Sequence, residues 1–188
     1  MDGPVVEEPV HGSVFPPGLF GLPGLERLRL LLSAKVAPSP VRHLTGIQFT
    51  ELGPGTVTFT MPITGWLRTP QGIATAGSVA ILADLPLASA IQTVLPPATD
   101  YVTTELSMTT VPAGTAYAPT DLRTQFIRPI PADGGSIIAR ASVVHRGRSV
   151  AMTRAEVTNE KGKLLALANS PAVILPGRRA DLADEPQY

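Results

Sequence analysis

Hydrophobic and polar residues alternate with a period of two along several segments of the chain, which is the pattern of half-buried β-strands. In the clearest segment, Thr56 to Met61, the threonines fall on one face and Val57, Phe59 and Met61 on the other. A strand at 41–50 would pair with this one through the turn Gly53-Pro54-Gly55. Runs rich in β-branched residues indicate further strands at 101–111, 122–130, 136–145, 149–158 and 163–175. Because short turn signals separate the later runs, they predict an antiparallel meander.

The pattern changes between residues 72 and 98, where 27 residues carry a single charge, at Asp84. Gly77 to Leu95 is apolar nearly all round, which is typical of a helix wrapped by a sheet. The run is long enough to suggest a transmembrane helix, but Asp84, Pro86 and Gln92 interrupt it and no aromatic or basic belts flank it. We therefore expect an α+β fold in which about six antiparallel strands surround one long central helix.

The first 40 residues differ in composition, since they hold seven of the 20 prolines and several glycines. Such a segment forms helices and strands poorly. Apolar residues still recur at helical spacing, at Leu25, Leu28, Leu32 and Val36. This spacing predicts a short amphipathic helix at 24–35, which either lies over the main domain or only tethers the arm. The expected organisation is an irregular Pro/Gly-rich arm with this helix at 1–40, a domain at 41–176 and a tail at 177–188.

Composition and charge limit the possible functions. The 15 Lys and Arg balance the 15 Asp and Glu, and the pI is near 6.8, so neither nucleic acid nor a membrane is an expected partner. Cysteine is absent, which excludes disulfides, Cys-ligated metal sites and thiol catalysis. Only 16% of the residues are charged, below the roughly 25% of typical soluble domains, which hints at an oligomer. No secretory signal is visible at the start of the sequence, so we expect a cytoplasmic location.

Asp84 stands alone on the predicted helix. The residues three and four positions away are Ala80, Ile81, Leu87 and Ala88. None of them neutralises the carboxylate, and an ionised carboxylate in apolar surroundings is costly unless it is paired or hydrogen-bonded. Asp84 is therefore either the N-cap of a helix that begins near Leu85, which Pro86 would favour, or an acid with a function.

Several short motifs follow one another along the chain. They are Gly-Ile-Ala-Thr-Ala-Gly at 72–77, Leu-Ala-Asp at 82–84, Thr-Thr-Glu-Leu at 103–106, Arg-Pro at 128–129, Gly-Ser-Ile-Ile-Ala-Arg at 135–140, Gly-Arg-Ser at 147–149 and Gly-Lys-Leu-Leu-Ala at 162–166. In this order the chain, over roughly residues 41 to 176, resembles hotdog-fold thioesterases of the phenylacetic-acid-pathway and 4-hydroxybenzoyl-CoA type. The resemblance implies a hotdog fold and the hydrolysis of an acyl-CoA thioester without a metal. It also implies no other cofactor, since the CoA belongs to the substrate.

The resemblance also implies roles for individual residues. Asp84 takes the position of the family's helix carboxylate, which acts as nucleophile or general base. The backbone N–H of Ala76 or Gly77 takes the position of the donor to the oxyanion. Thr103 matches a Ser or Thr that holds the attacking water in some relatives, although an ordinary strand threonine would look the same.

The spacing of two of these residues bears on assembly. Gly77 and Asp84 lie seven residues apart, which is about 10 Å along a helix and too far to grip one carbonyl from both sides. Two chains with antiparallel helices would bring Gly77 of one chain close to Asp84 of the other and form two equivalent sites. The family is similar in this respect, so we expect a homodimer or a dimer of dimers.

The chain departs from the family beside the helix start. It has Thr75-Ala76-Gly77 where the family usually has His-Gly-Gly, and Thr69 where the family commonly has Asn or Gln. Gln71 could supply the amide that orients the substrate or be an ordinary loop residue. Thr75 could donate to the substrate or cap the helix. A non-catalytic module that binds acyl-CoA therefore stays open as an alternative.

The phosphates of CoA require basic groups. A compact basic turn is formed by Arg146, Gly147, Arg148 and Ser149. Its glycine allows close approach of the backbone, although a charged hairpin tip is the alternative interpretation. Arg128 is a further candidate for a phosphate contact. Trp66, the only tryptophan, precedes the helix and is predicted to be a packing residue and not the wall of an acyl pocket.

Overall fold

The computed structural model of this protein describes residues 17–97, 99–103, 123–130 and 135–176. The helices in this part are α1 (Gly24–Leu32), α2 (Pro40–Thr45) and α3 (Ala76–Thr93), with 3-10 turns at Pro17–Gly21 and Gly65–Leu67. The strands are β1 (Gln48–Gly53), β2 (Thr56–Pro62), β3 (Thr99–Thr103), β4 (Arg123–Phe126), β5 (Ser136–Arg146), β6 (Val150–Asn159) and β7 (Leu164–Pro176). These strands form one antiparallel sheet on which α3 packs. The predicted α+β architecture and its N-terminal helical extension are confirmed.

The strand order across the sheet is β1-β2-β5-β6-β7-β3, and β4 also pairs with β7. β5, β6 and β7 form the expected meander, but the meander does not include the earlier strands. The predicted turn at 131–135 requires β4 and β5 to pair with each other, but they do not. Instead β5 pairs with β2, with Met61 opposite Ile137. Pairing between strands that are distant in sequence is set by how α3 crosses the sheet, and a run of turn residues does not report it.

β3 and β4 lie end to end along one edge of β7. Thr103, the last residue of β3, is opposite Ala172, and Arg123, the first residue of β4, is opposite Asn169. The strands predicted at 101–111 and 122–130 therefore share one position in the sheet. Residues 104–122 lie outside the described part of the chain, as do 1–16 of the predicted arm and the predicted tail at 177–188.

α3 supplies the centre of the core. Its fully buried apolar residues are Val79, Leu82, Ala83, Leu87, Ala90 and Ile91. Hydrogen bonds hold both ends of the helix: the N–H of Ala74 donates to the carbonyl of Ile130 at 2.8 Å, and the N–H of Gly55 donates to Oγ1 of Thr93 at 2.7 Å. Burial of the apolar face, helped by these two bonds, fixes the helix on the sheet.

α3 continues through Asp84 and Pro86 without a break. The alternative in which Asp84 caps a helix that begins near Leu85 is therefore wrong. Pro86 lies inside the helix and is buried. Because proline has no N–H, the carbonyl of Leu82 receives no helical hydrogen bond from it, and packing on the sheet must compensate for this loss.

The segment predicted as a strand at 41–50 begins as a helix instead. Pro40 is favoured in the first turn of a helix and starts α2, and Gly46 ends it with a φ of 71°. β1 then starts only at Gln48. The proline and the glycine that bracket this segment were the signal for a short helix.

α1 lies on the main domain, so the alternative of a mere tether is wrong. Leu28 and Arg27 are each only 1% exposed. The N–H of Gly24 donates to the carbonyl of Leu95, just beyond the end of α3. The extension therefore covers the C-terminal end of the central helix, where a positive charge such as that of Arg27 is favourable.

The central helix also meets the length and composition of a membrane span. α3 has a mean hydropathy of 1.2, and 56% of it is buried inside the domain. The core helix of a globular domain has the same properties, and the contacts of α3 with the sheet account for its apolar character here.

We predict that Gly24→Ala destabilises the protein by about 1–3 kcal/mol, the usual cost of overpacking. A loss of stability is informative, because replacing glycine by alanine within a helix normally stabilises it. A Cβ at position 24 would lie 1.8 Å from the carbonyl oxygen of Gln92, so α1 must move away from α3. Urea unfolding measures the effect. Gly21→Ala, where a Cβ would meet nothing within 4 Å, is the matched control, and equal stability of the two variants would contradict the docking of α1.

Candidate active site

One face of α3 is not fully covered by the rest of the protomer. Its residues are spaced three and four apart and are Gly77, Ala80, Ile81, Asp84, Leu85 and Ala88. Ile81 is 41% exposed. Since this stripe is apolar apart from Asp84, it is a surface that gains free energy when another apolar surface covers it.

Asp84 is half-buried in the middle of this stripe. Within the described residues its carboxylate makes no hydrogen bond and no ion pair. Desolvation by burial raises the pKa of the Asp84 carboxyl above its ordinary value. A carboxylate that is poorly solvated and unpaired is a stronger base toward water than an exposed one, so the geometry suits a general base or a nucleophile.

The start of α3 offers backbone donors. Ala76 and Gly77 are exposed, and neither N–H reaches an acceptor in the described part of the chain, as expected in the first turn of a helix. Thr75 occupies the N-cap position, but its hydroxyl makes no capping bond. The hydroxyl of Ser78 donates to the carbonyl of Thr75 at 2.7 Å instead. The predicted cap at Thr75 is therefore right in position only, and two N–H groups with partial positive charge face outward.

A tight loop leads into the helix. Arg68 and Ala74 form a β-bridge. Inside it the N–H of Thr69 donates to the carbonyl of Ile73 at 2.8 Å, and the N–H of Gly72 donates to the carbonyl of Thr69 at 2.9 Å. Gly72 has a φ of 79°, a conformation that side chains disfavour. The loop is thus a closed turn with a defined shape.

This loop brings three of the predicted site residues to the helix start, namely Thr69, Gln71 and Thr75. Gln71 is exposed at the tip of the turn. The Oγ1 of Thr69 is buried and has no hydrogen-bond partner. A buried hydroxyl without a partner is uncommon and costs free energy.

Trp66 is not a packing residue, which corrects the prediction. It lies in the 3-10 turn at Gly65–Leu67 with 82% of its surface exposed. The carbonyl of Leu67 accepts the N–H of Thr75 at 2.8 Å, so the tryptophan stands beside the helix start. Sequence reasoning missed this because periodicity does not show which way an aromatic residue in a loop points; its place next to Gly65, outside any strand pattern, was the only signal.

The predicted basic turn lies at the other end of the sheet. Pro62 pairs with Ser136 near the helix start, whereas Arg146 ends β5 ten residues later, about 33 Å along an extended strand. The N–H of Gly147 donates to the carbonyl of Val150 at 2.7 Å and closes the turn. The exposed residues of this turn are Arg146, Arg148 and Ser149. Within one protomer they do not approach the donors at the start of α3.

Arg128 lies nearer to the helix start, because it is two residues from Ile130, whose carbonyl accepts the N–H of Ala74 just before α3. Its side chain is exposed and donates to the carbonyl of Leu164 at 2.6 Å. The backbone of Thr103 ends β3, but its side chain lies outside the described residues, so its role stays a prediction. In 17–97, 99–103, 123–130 and 135–176 no group of three or more His, Asp or Glu residues is placed to hold a metal ion.

A sequence model of the thioesterase superfamily matches residues 72–166 of this chain. The matched segment begins at the loop before α3, includes Asp84, and ends in β7. None of the curated proteins matches the sequence at a significant level.

The fold is similar to that of several solved proteins. A thioesterase of Haemophilus influenzae is 23% identical over 82% of this chain and 92% of its own, with a TM-score of 0.62. The PaaI protein from the phenylacetic acid degradation operon of E. coli is 19% identical over 82% of this chain and 95% of its own, with a TM-score of 0.64. A mutant of the phenylacetic acid degradation protein PaaI of Thermus thermophilus is 27% identical over 72% of this chain and 98% of its own, with a TM-score of 0.57. The predicted hotdog fold is confirmed.

We predict that Asp84→Asn stabilises the protein at neutral pH. The raised pKa of the carboxyl means that the folded protein holds this proton more tightly than the unfolded chain. Stability from this group is therefore fully present below the ordinary pKa of Asp and is lost as pH rises through the raised value. The variant lacks this loss, so its melting temperature should exceed that of the wild type at pH 7 and match it near pH 3. Glu156→Gln, which removes an exposed carboxylate of β6, is the control for the loss of one negative charge.

Proposed function

Because this chain belongs to the thioesterase superfamily and is a thioester hydrolase, we propose that it hydrolyses an acyl-CoA to a carboxylic acid and free CoA. The observation that carries the proposal is the unpaired, desolvated carboxylate of Asp84 on the open face of α3. It is the one charged group of that helix, and the family-matched segment contains it.

In the proposed reaction Asp84 acts on a water molecule or on the thioester itself. As a base, the carboxylate takes a proton from water while the water oxygen attacks the carbonyl carbon. The carbon–sulfur bond then breaks, and the departing thiolate of CoA receives the proton. As a nucleophile, the carboxylate would attack the carbonyl carbon and break the carbon–sulfur bond, so that the CoA thiolate leaves and a mixed anhydride forms. Water then hydrolyses the anhydride, which releases the carboxylic acid and regenerates the Asp84 carboxylate, and the thiolate takes up the remaining proton. Both routes need the raised basicity that burial supplies, and neither routes a step through a metal or another cofactor.

The developing negative charge on the carbonyl oxygen requires a donor. The free N–H groups of Ala76 and Gly77 at the start of α3 suit this task, because backbone donors at a helix N-terminus carry partial positive charge. Since α3 is one continuous helix, its own Asp84 lies about 10 Å from these donors. We propose that the partner's Asp84 completes the site in a homodimer, with the apolar stripe of α3 buried between the two chains.

This arrangement also gives the basic turn a role. The turn lies about 33 Å from the helix start of its own chain, but an antiparallel partner would reverse the direction and bring the turn toward the other chain's site. Arg146 and Arg148 would then hold phosphates of CoA, with the backbone of Gly147 and the hydroxyl of Ser149 close by. Arg128 is less suited to this role, since it already donates to the carbonyl of Leu164.

A non-catalytic module that binds acyl-CoA is the second candidate. It is favoured by Thr75 and Thr69, which stand where the family usually has a His and commonly an Asn or Gln. Tight binding of an acyl-CoA without release of free thiol from any member of an aromatic, short, medium and long acyl-CoA panel would select this alternative.

We predict that Asp84→Asn abolishes thiol release from acyl-CoA, and that Gly77→Pro does the same by removing the backbone N–H. Proline is tolerated in the first turn of a helix, so folding should survive. Equal mixing of the two variants should restore about a quarter of the wild-type activity, because half of the dimers are hybrids and each hybrid holds one intact site. Free thiol is measured with a chromogenic disulfide after refolding of the mixture.

The control for this experiment is Gly77→Ala, which keeps the N–H and adds a Cβ that meets nothing within 4 Å in the protomer. It should retain turnover where Gly77→Pro does not. Failure of the mixture to recover activity, with dimers present, would exclude a site shared between two chains.

We predict that Arg148→Ala raises KM for an acyl-CoA about tenfold while kcat changes little, because hydrogen bonds to charged groups contribute roughly 1.5–3 kcal/mol. The matched substrate is the acyl-pantetheine, which has the same thioester but no nucleotide phosphates. Its KM should be the same for the variant and the wild type. Loss with both substrates would assign Arg148 to the stability of the turn and not to CoA.

A further inference from the structure

One hydroxyl of the sheet has no role in the proposed function. In the part of the chain that the structure describes, two buried hydroxyls have no hydrogen-bond partner, those of Thr69 and Thr124. Thr69 belongs to the loop before α3, whereas Thr124 lies in β4, opposite Ala168 of β7. Because an unpartnered buried hydroxyl lowers stability, its presence at Thr124 requires a reason.

The register of the sheet places the side chain of Thr124 on the side of α3. Residues that are directly opposite in two paired strands have their side chains on the same face of the sheet. Ala168 is 0% exposed and belongs to the core cluster that includes α3, so Thr124 points to that side as well. Its surroundings there are largely apolar, and a valine would fill the same space without a hydroxyl to bury.

Contacts near both ends of α3 show how the helix runs relative to β7. The N–H of Ala74 donates to the carbonyl of Ile130, and the residues just before Ile130 donate to the carbonyl of Leu165 at the start of β7. Further along, Ala88 packs against a cluster that includes Ala172, near the end of β7. The helix and the strand therefore run in the same direction, over about 20 Å in each case.

This alignment places Thr124 beside the first half of α3, which is in contact with β4. Ala168 lies about 10 Å along β7 from its start, and the same distance along α3 from Ala74 ends at Ala80. Thr124, opposite Ala168, is therefore about 5 Å along the helix axis from Gly77. Two donors that are each about 2.9 Å from one oxygen lie at most about 6 Å apart. The hydroxyl of Thr124 and the N–H of Gly77 can thus reach the same oxygen.

We propose that the hydroxyl of Thr124 is a second donor to the carbonyl oxygen of the thioester, beside the N–H of Gly77 of the same chain. This inference rests on the proposed function. Thr124 as a whole is only half-buried, so rotation about its Cα–Cβ bond turns the hydroxyl from the core toward the open face of α3. The carbonyl oxygen gains negative charge as the carbon is attacked, and an O–H donor aimed at it stabilises that charge.

The hydroxyl is tested with Thr124→Val, which keeps the shape of the side chain and removes the O–H. The kcat for thiol release should fall about tenfold while KM changes little, because the bond is strongest in the transition state. The melting temperature should rise, since the variant no longer buries an unpartnered hydroxyl. Thr124→Ser keeps the donor and should recover most of kcat.

Thr153→Val is the matched control on the same face of the sheet. Thr153 is 1% exposed, and its hydroxyl donates to the carbonyl of Ser170 at 3.1 Å. Because this hydroxyl has a partner, its removal should lower the melting temperature and leave kcat unchanged. The two valine variants should therefore differ in opposite directions in both measurements.

A second readout does not depend on turnover. A thioester of the acyl-CoA panel, labelled with ¹³C at its carbonyl, is bound to the Asp84→Asn protein, and its C=O stretch is measured by infrared difference spectroscopy. Hydrogen bonds to the oxygen lower this frequency. The band should lie below that of the free ester, and part of this shift should disappear when Thr124→Val is added.

Four results would overturn the inference: an unchanged kcat in Thr124→Val, a loss that Thr124→Ser does not recover, a lower melting temperature in the valine variant, or a carbonyl band that does not depend on residue 124. A lower melting temperature would assign the hydroxyl to the stability of the sheet. If the wild type releases no thiol from any ester while the band still depends on the Thr124 hydroxyl, the proposed hydrolysis of acyl-CoA fails and the contact with the carbonyl stands.

Discussion

The desolvated carboxylate of Asp84 is the constraint on which the rest of the structure depends. It lies on a helix whose other exposed positions are apolar, and no described residue pairs with it. Such a group lowers stability at neutral pH, so the helix that carries it must be held by other contacts. The sheet supplies them along one face of α3, α1 covers the end, and Ile130 and Thr93 take part in hydrogen bonds that fix both termini.

The same helix leaves the proposed site incomplete in a single chain. In the proposed reaction the free N–H groups at the start of α3 and the carboxylate of Asp84 act on the same thioester carbonyl, but two turns of helix separate them. Trp66 and the open stripe of α3 also leave apolar surface exposed that a single protomer does not bury. A low content of charged residues agrees with this, since a chain with 16% charged residues has fewer groups with which to keep such a surface in water.

Much of the fold follows from local pattern. The strict alternation at Thr56 to Met61 and the long uncharged run around Asp84 predict β2 and α3 almost to the residue, because each pattern reports burial on a face with its own period. The strand expected at 41–50 was wrong in its first half, because Pro40 and Gly46 delimit a short helix there. A helix this short depends on its two ends more than on its periodicity. Local sequence patterns do not predict features that depend on contacts between distant parts of the chain. The shared edge position of β3 and β4, the exposure of Trp66 and the separation of Arg146 from Gly77 all arise from tertiary packing, which no window of sequence contains.

The position of Asp84 bears on whether the chain catalyses or only binds. CoA esters are anionic, and a module that merely held them would gain nothing from a further negative charge beside the thioester; an apolar side chain there would be more stable and would repel the ligand less. A hydrolase that works by the proposed mechanism does gain, because the carboxylate is the proposed base. The proposed oxyanion donors are backbone groups, so Thr75 in place of a histidine removes a side chain but leaves the N–H of Gly77 at the start of α3. In the proposed mechanism the departures from the family at the helix start therefore affect auxiliary side chains, whereas the carboxylate and the backbone donor that the reaction requires are both present.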